Sequence, residues 1–194
     1  MRPVTRLDPF ACAVFLLAAF TLAGVAQTAW FASPVSRSLA VPLDGALRVR
    51  GRRLFGENKT LRGVVVMVPA TATAFACLAA LAGGRTVGLW DLPSASYALL
   101  GAWAGVGFMA GELPNSFLKR QLDISPGDAS QSRAWTAVQF IGDRLDSGLG
   151  MLAAVSLAVP TPAMTWIYVL LIGPAIHWSF SLALYRLGLK QRAA

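Results

Sequence analysis

The sequence predicts an all-α integral membrane protein with about five transmembrane helices and two polar cytoplasmic loops, all in a single membrane domain spanning residues 1–194. Three observations predict it. Charged residues make up 13% of the chain and hydrophobic residues 56%, with a mean hydropathy of +0.58, whereas a soluble domain carries about 25% charge. Five separate windows are long and apolar enough to cross the hydrocarbon, which takes about 20 residues as helix because no backbone group can go unpaired there. Lys and Arg are shared very unevenly between the segments joining those windows.

The first window runs from about Phe10 to Ala32 and is stopped by Ser33-Pro34; the second, about Gly63 to Ala82, is stopped by Gly83-Gly84. The third covers about Ser96 to Leu113, the fourth about Ala134 to Val159 and the fifth about Ala163 to Leu184. They leave polar loops at about 33–62 and 114–133, two short connectors and a basic tail. The long loops and the tail hold thirteen Lys and Arg, while the other side holds Arg2, Arg6 and Arg85. By the positive-inside rule this is a multi-pass protein of the cell membrane, with the N-terminus outside and the C-terminus in the cytoplasm. A signal peptide beginning at Arg2 and Arg6, with cleavage near Gly24-Val25-Ala26, is a weaker reading: the run exceeds a usual h-region and the next loop is too basic to export easily. Cytoplasmic placement also makes the glycosylation pattern Asn58-Lys59-Thr60 accidental. Cys12 and Cys77 sit inside apolar runs and read as small packing residues, not a disulfide.

Net charge is +8. On an apolar chain this points to anionic headgroups, a phosphorylated ligand or topology signals, and no nucleic-acid partner is expected. The loop Arg48–Gly63 carries six cations in sixteen residues, more than orientation requires. Gly51, Gly56 and Gly63 permit close backbone approach, and Asn58, Lys59, Thr60 and Arg62 offer donors of different reach. The segment is either a polyphosphate cradle or a lipid-headgroup patch; it is not a Walker A loop, which needs Gly where Asn58 stands.

Two further clusters lie at the same membrane boundary. In the fourth window Thr136, Gln139, Asp143, Asp146, Ser147 and Gly150 share one helix face, and an aspartate costs about 2.5–3.5 kcal/mol at a helix centre. The pair Asp143 and Asp146 holds a divalent metal, or else one of them neutralises Arg144, which points about 100° away around the helix. In the third window Glu112 is another acid at membrane depth. There Pro114 either kinks the helix or starts a new one at Asn115-Ser116; a start carrying Ser116, Lys119 and Arg120 would receive phosphate, whereas a helix end would make the two cations topology anchors. Together the clusters offer Mg²⁺, which favours one or two carboxylates plus substrate phosphates, and cations for phosphates. Such a site suits phosphoryl or nucleotidyl transfer onto a lipid that cannot leave the bilayer.

Ser116-Phe117-Leu118-Lys119-Arg120 and Asp143-Arg144-Leu145-Asp146 resemble the two ends of the signature of CTP-dependent phosphatidate cytidylyltransferases, the CDP-diacylglycerol synthases. The middle departs from it, with Ser125-Pro126-Gly127 and Gln139-Phe140-Ile141-Gly142 in place of the expected residues. The chain is most similar to the short CDP-archaeol synthase type, through Asp44-Gly45, Phe55-Gly56-x-Asn58-Lys59-Thr60-x-Arg62-Gly63 and Leu113-Pro114-Asn115-Ser116-Phe117-x-Lys119-Arg120. The resemblance implies a five-helix membrane enzyme that joins CTP and a lipid phosphate into a CDP-lipid and pyrophosphate, with Mg²⁺. It implies metal at Asp143 and Asp146, and a catalytic part for both and for Lys119. It further implies CTP or lipid phosphate at Gly56, Asn58, Lys59, Thr60, Arg62, Asn115, Ser116, Lys119, Arg120 and Arg144. Relatives with an Asp-Gln-x-Asp form differ at Arg144, so the acceptor's chains stay open. The two GxxxG patterns at Gly101, Gly105, Gly107 and Gly111 read as helix-packing surfaces and His177 as a packed side chain. Two rival readings are a non-catalytic membrane protein that binds anionic lipid or assists transport, and a Mg²⁺-dependent prenyl-phosphate headgroup enzyme that needs no CTP.

Overall fold

The computed structural model describes residues 6–82, 88–124 and 133–188, without the side chains of residues 133–138 and 140. Five long helices follow one another: α1 Pro9–Ala32, α2 Leu61–Leu81, α3 Ser94–Gln121, α4 Arg133–Ala158 and α5 Ala163–Arg186. Each packs on its neighbour in sequence, and α5 also packs on α1, which closes the ring. Helices α1, α2 and α5 are apolar enough to count as spans on composition; α3 and α4 carry the charges of the fourth window and of Glu112 instead.

α1 starts where Asp8 caps it, accepting from the Phe10 amide at 2.9 Å, with Pro9 in the first turn where its missing N–H is not needed. Its buried stripe, Cys12, Phe15, Leu16 and Ala19, meets Phe75 of α2 and Tyr97 of α3. Phe15 lies edge-on to Phe75 at 5.0 Å and near Trp90 and Tyr97 at 6.2 and 5.5 Å. Polar tips in this core are satisfied by backbone: Tyr97 Oη donates to the Trp90 carbonyl at 2.6 Å, and Trp90 Nε1 to Pro160 at 2.8 Å. This fastens the end of the bundle that holds the two short connectors. Cys12 is buried and Cys77 exposed, both as free thiols.

The opposite end differs from the sequence-based expectation in two ways. First, α3 does not stop at Leu113 or restart at Asn115; it runs through Pro114 to Gln121. A membrane helix tolerates the proline because only one backbone donor is lost and the turns on either side stay hydrogen-bonded. Ser116, Lys119 and Arg120 therefore lie in the last turns of a helix, where the dipole favours cations and not phosphate. The helix-start phosphate receptor does not exist here, and any attraction for anions must come from side chains. Second, the basic loop is folded. A short 3₁₀ helix, Pro34–Leu39, leads to a hairpin of β1 Arg48–Val49 and β2 Arg52–Arg53, turned by Arg50 and Gly51 at φ of 52° and 80°. Two successive positive φ values match the right-handed twist of a two-residue hairpin, which explains a glycine at the second.

Candidate active site

The packing of α3 on α4 creates the site. A Cβ added to Gly111 would lie 2.3 Å from the Asp146 carbonyl oxygen, and one added to Gly150 would lie 2.3 Å from that of Gly107. The two backbones thus touch, as small residues allow. The other GxxxG pair works in the same way on α2: a Cβ on Gly101 would meet the Thr71 carbonyl at 2.5 Å and one on Gly105 the Thr71 hydroxyl at 2.3 Å.

With backbones in contact, short side chains one turn along can meet. Asn115 Nδ2 donates to Asp143 Oδ1 at 2.6 Å and to Asp146 Oδ2 at 2.9 Å. One turn further, the Lys119 ammonium pairs with Asp143. On the same face Glu112 accepts from Ser147 Oγ at 2.9 Å and pairs with Lys59, which arrives from the basic loop just before α2. Ser147 also reaches Asp146 Oδ1, through its amide at 2.6 Å and its hydroxyl at 3.2 Å. One continuous network therefore runs from Lys59 through Glu112, Ser147, Asp146, Asn115 and Asp143 to Lys119.

The sequence-derived candidates divide on this geometry. Lys59, Asn115, Lys119, Asp143 and Asp146 come together. Arg62 lies in the first turn of α2, with its guanidinium 4.7 Å above the Phe31 ring of α1. Thr60 is the buried N-cap position of α2, Ser116 is buried on α3, and Arg120 and Arg144 are half-buried. Asn58 is exposed, and the Gly56 amide, expected to face a phosphate, donates to Asp44 Oδ2 at 3.1 Å instead. Asp143, one of the two aspartates considered above for Arg144, is also reached by Lys119 from α3. Thr136 has its side chain outside the described atoms, and Ser125-Pro126-Gly127 lie outside the described residues.

Two participants escape a reading of the sequence. Ser147 was only one of a polar stripe, yet it links two carboxylates. Asp44 was only part of a short motif, yet it is buried and gathers four donors. Burial by itself would raise its pKa, but the hydrogen bonds from Arg53 and from the Phe55, Gly56 and Ala46 amides outweigh this and hold it well below the usual carboxylate range. Loop stability from Asp44 is thus present above the ordinary carboxylate pKa and is lost only as pH falls through the depressed value.

Among the described residues no three His, Cys, Asp or Glu side chains form a ready metal cage. The aspartates do fit an ion that takes two protein oxygens and completes its shell with water and substrate phosphate, because both carboxylates converge on one amide nitrogen. The Asp143 side chain keeps 44% of its exposure, against 18% for Glu112, so Asp143 faces the access side and Glu112 the interior.

A family model described as CarS-like CDP-archaeol synthase matches residues 14–193. The chain is 35% identical over 159 residues to the CDP-archaeol synthase of Halorubrum lacusprofundi, covering 77% of this chain and 81% of the relative. It is 33% identical over 166 residues to that of Aeropyrum pernix, with 82% of each covered, and 31% identical over 164 residues to that of Thermococcus onnurineus, with 82% and 86% covered. A solved structure described as an intramembrane enzyme for archaeal membrane lipids biosynthesis superposes with a TM-score of 0.62 at 25% identity, covering 90% of this chain and 96% of that one. With its charged network set inside a helical membrane bundle, the chain belongs to the CDP-archaeol synthase family, whose members are CTP-dependent cytidylyltransferases.

Proposed function

We propose that this protein joins CTP to a lipid phosphate at the membrane boundary, forming a CDP-lipid and releasing pyrophosphate. One observation carries the reading: two lysines and three carboxylates from three separate elements meet in one network at the end of an apolar bundle. A lipid-phosphate oxygen forms the new bond to the α-phosphorus of CTP, and the bond from that phosphorus to the bridging oxygen of the leaving pyrophosphate breaks. Two anions must approach, so the protein's part is positioning and charge neutralisation more than proton transfer. A unit charge at about 4 Å contributes on the order of 4 kcal/mol at an effective dielectric near 20, and Lys59 and Lys119 would supply such charges by exchanging Glu112 and Asp143 for phosphate oxygens. Asp143 and Asp146 would hold Mg²⁺, which when bound supplies charge neutralisation at the phosphates.

The test offers purified protein each of the four ribonucleoside triphosphates with Mg²⁺ and a panel of ether-linked isoprenoid and ester-linked acyl lipid phosphates. The expected product is a cytidylyl lipid with pyrophosphate in equal amount. Headgroup release without nucleotide, or no product with CTP, would overturn the proposal.

The loop's cations separate a specific cradle from a screened patch. Lys59→Ala and Arg62→Ala are each expected to weaken CTP binding roughly 10- to 100-fold, the loss of one charge-assisted contact, while exposed Arg37→Ala changes it little. Equal effects at all three positions, fading together with added salt, would indicate a headgroup patch.

The orientation follows the charge asymmetry. In intact cells a cysteine at Arg50 is expected to resist a membrane-impermeant thiol reagent and one at Arg85 to react; the reverse pattern would invert the topology and move the site to the outer surface.

A further inference from the structure

Residues 41–61 form a loop tied at its neck and filled by one carboxylate. At the neck the Leu43 amide donates to the Lys59 carbonyl at 2.8 Å and the Leu61 amide to the Val41 carbonyl at 2.8 Å, with Pro42 and Thr60 bridged between them. Inside, the Asp44 side chain has 0% exposure. It accepts from Arg53 Nη2 at 2.6 Å, the Phe55 amide at 3.2 Å, the Gly56 amide at 3.1 Å and the Ala46 amide at 3.1 Å. The loop has little apolar filling of its own: Leu47 and Val49 point outward at 65% and 39% exposure. The carboxylate is therefore the loop's core, and it lies one residue from the amide that holds Lys59.

We propose that Asp44 is a positioning residue for CTP: its carboxylate folds the basic loop and, through the neck, fixes the backbone of Lys59 so that the ammonium meets the α3 and α4 network. The inference rests on the proposed function of that network. A neutral isostere cannot replace Asp44. Asparagine has one oxygen for four donors, would turn an NH₂ toward another donor, and would leave the partly buried Arg53 guanidinium with only the exposed Glu57 carboxylate as counter-ion. Asp44 itself touches the loop and not the network, so its loss should act on binding rather than on the chemical step.

The experiment compares wild type with Asp44→Asn by amide hydrogen exchange of the peptide covering residues 45–60, by CTP titration and by steady-state kinetics. Exchange protection of that peptide is expected to drop about tenfold or more with the rest of the bundle unchanged. CTP affinity should weaken about tenfold or more while kcat at saturating CTP stays within about threefold. Retained protection overturns the proposal. So does lost protection with unchanged CTP affinity, or a fall in kcat at unchanged KM. Should Asp44→Asn fail to fold, Arg53→Gln removes one of the four donors and must show the same pattern at several-fold size; wild-type behaviour there overturns the proposal too. Wild type that binds no CTP at all would refute the proposed function and this inference with it, whereas CTP-binding wild type with an indistinguishable Asp44→Asn refutes the inference alone.

Discussion

Asp146→Asn is expected to lower CTP-dependent turnover by about 10³-fold, the several kcal/mol that a metal-held phosphoryl centre contributes, while the protein still inserts and purifies and its melting falls only slightly. Asparagine keeps the shape and can turn its one oxygen to the Ser147 amide. Its NH₂ then faces Asn115 Nδ2, so one hydrogen bond worth about 1 kcal/mol is lost, small beside the expected fall in turnover. A purely structural aspartate predicts the opposite distribution of damage. Asp143→Asn sharpens the comparison, because Asp143 is paired with Lys119. If that pair served only stability, removing the carboxylate would leave the part-buried Lys119 ammonium without it and lower the melting midpoint, and Lys119→Met would restore melting in the double variant. Thermal melting and turnover on Asp143→Asn, Asp146→Asn and Asp143→Asn with Lys119→Met decide the matter. Single variants that melt near wild type yet are inactive support a metal role; single variants whose melting falls sharply and is restored in the double variant would sink it.

The second large effect is expected at Gly111. Alanine there puts a methyl 2.3 Å from the Asp146 carbonyl and 2.9 Å from the Gly150 Cα, against backbone that cannot swing aside. The helices must part, at a cost of about 1–3 kcal/mol for overpacking. Activity should fall further than stability does, because Asn115 bridges the two aspartates with a side chain too short to follow. Gly173→Ala on α5 is the control, since nothing lies within 4 Å of its added methyl. Melting midpoint and turnover measured on both variants test this; a Gly111→Ala enzyme with wild-type activity would mean that the network tolerates a wider α3–α4 gap.

The helices were legible because hydrocarbon imposes a length and a composition that few other constraints produce, and the windows around Phe15, Phe75 and Val169 satisfy both. The facing of Asp143 and Asp146 was legible from their three-residue spacing on one helix. The end of α3 was not. Pro114 followed by Lys119 and Arg120 has the local signature of a terminus, and only the surrounding bundle keeps the helix going to Gln121. The partner of Glu112 was also hidden, because Lys59 lies 53 residues away and no local rule joins a loop cation to a mid-helix acid. Asp44 looked like a turn residue beside Gly45; its burial depends on a hairpin whose fold it helps to create.

α3 and α4 are the less apolar of the five long helices, because they carry charges within their length. Each brings charges that, alone in lipid, cost about 2.5–3.5 kcal/mol apiece near a helix centre. Glu112, Lys119, Asp143 and Asp146 find partners across the glycine contact and in the segment before α2. The lipid tolerance of α3 and α4 is therefore shared: each helix's charges are offset by the other helix and by Lys59 before α2. A substitution that widens the glycine seam would then act first on the yield of inserted protein, before any substrate is met.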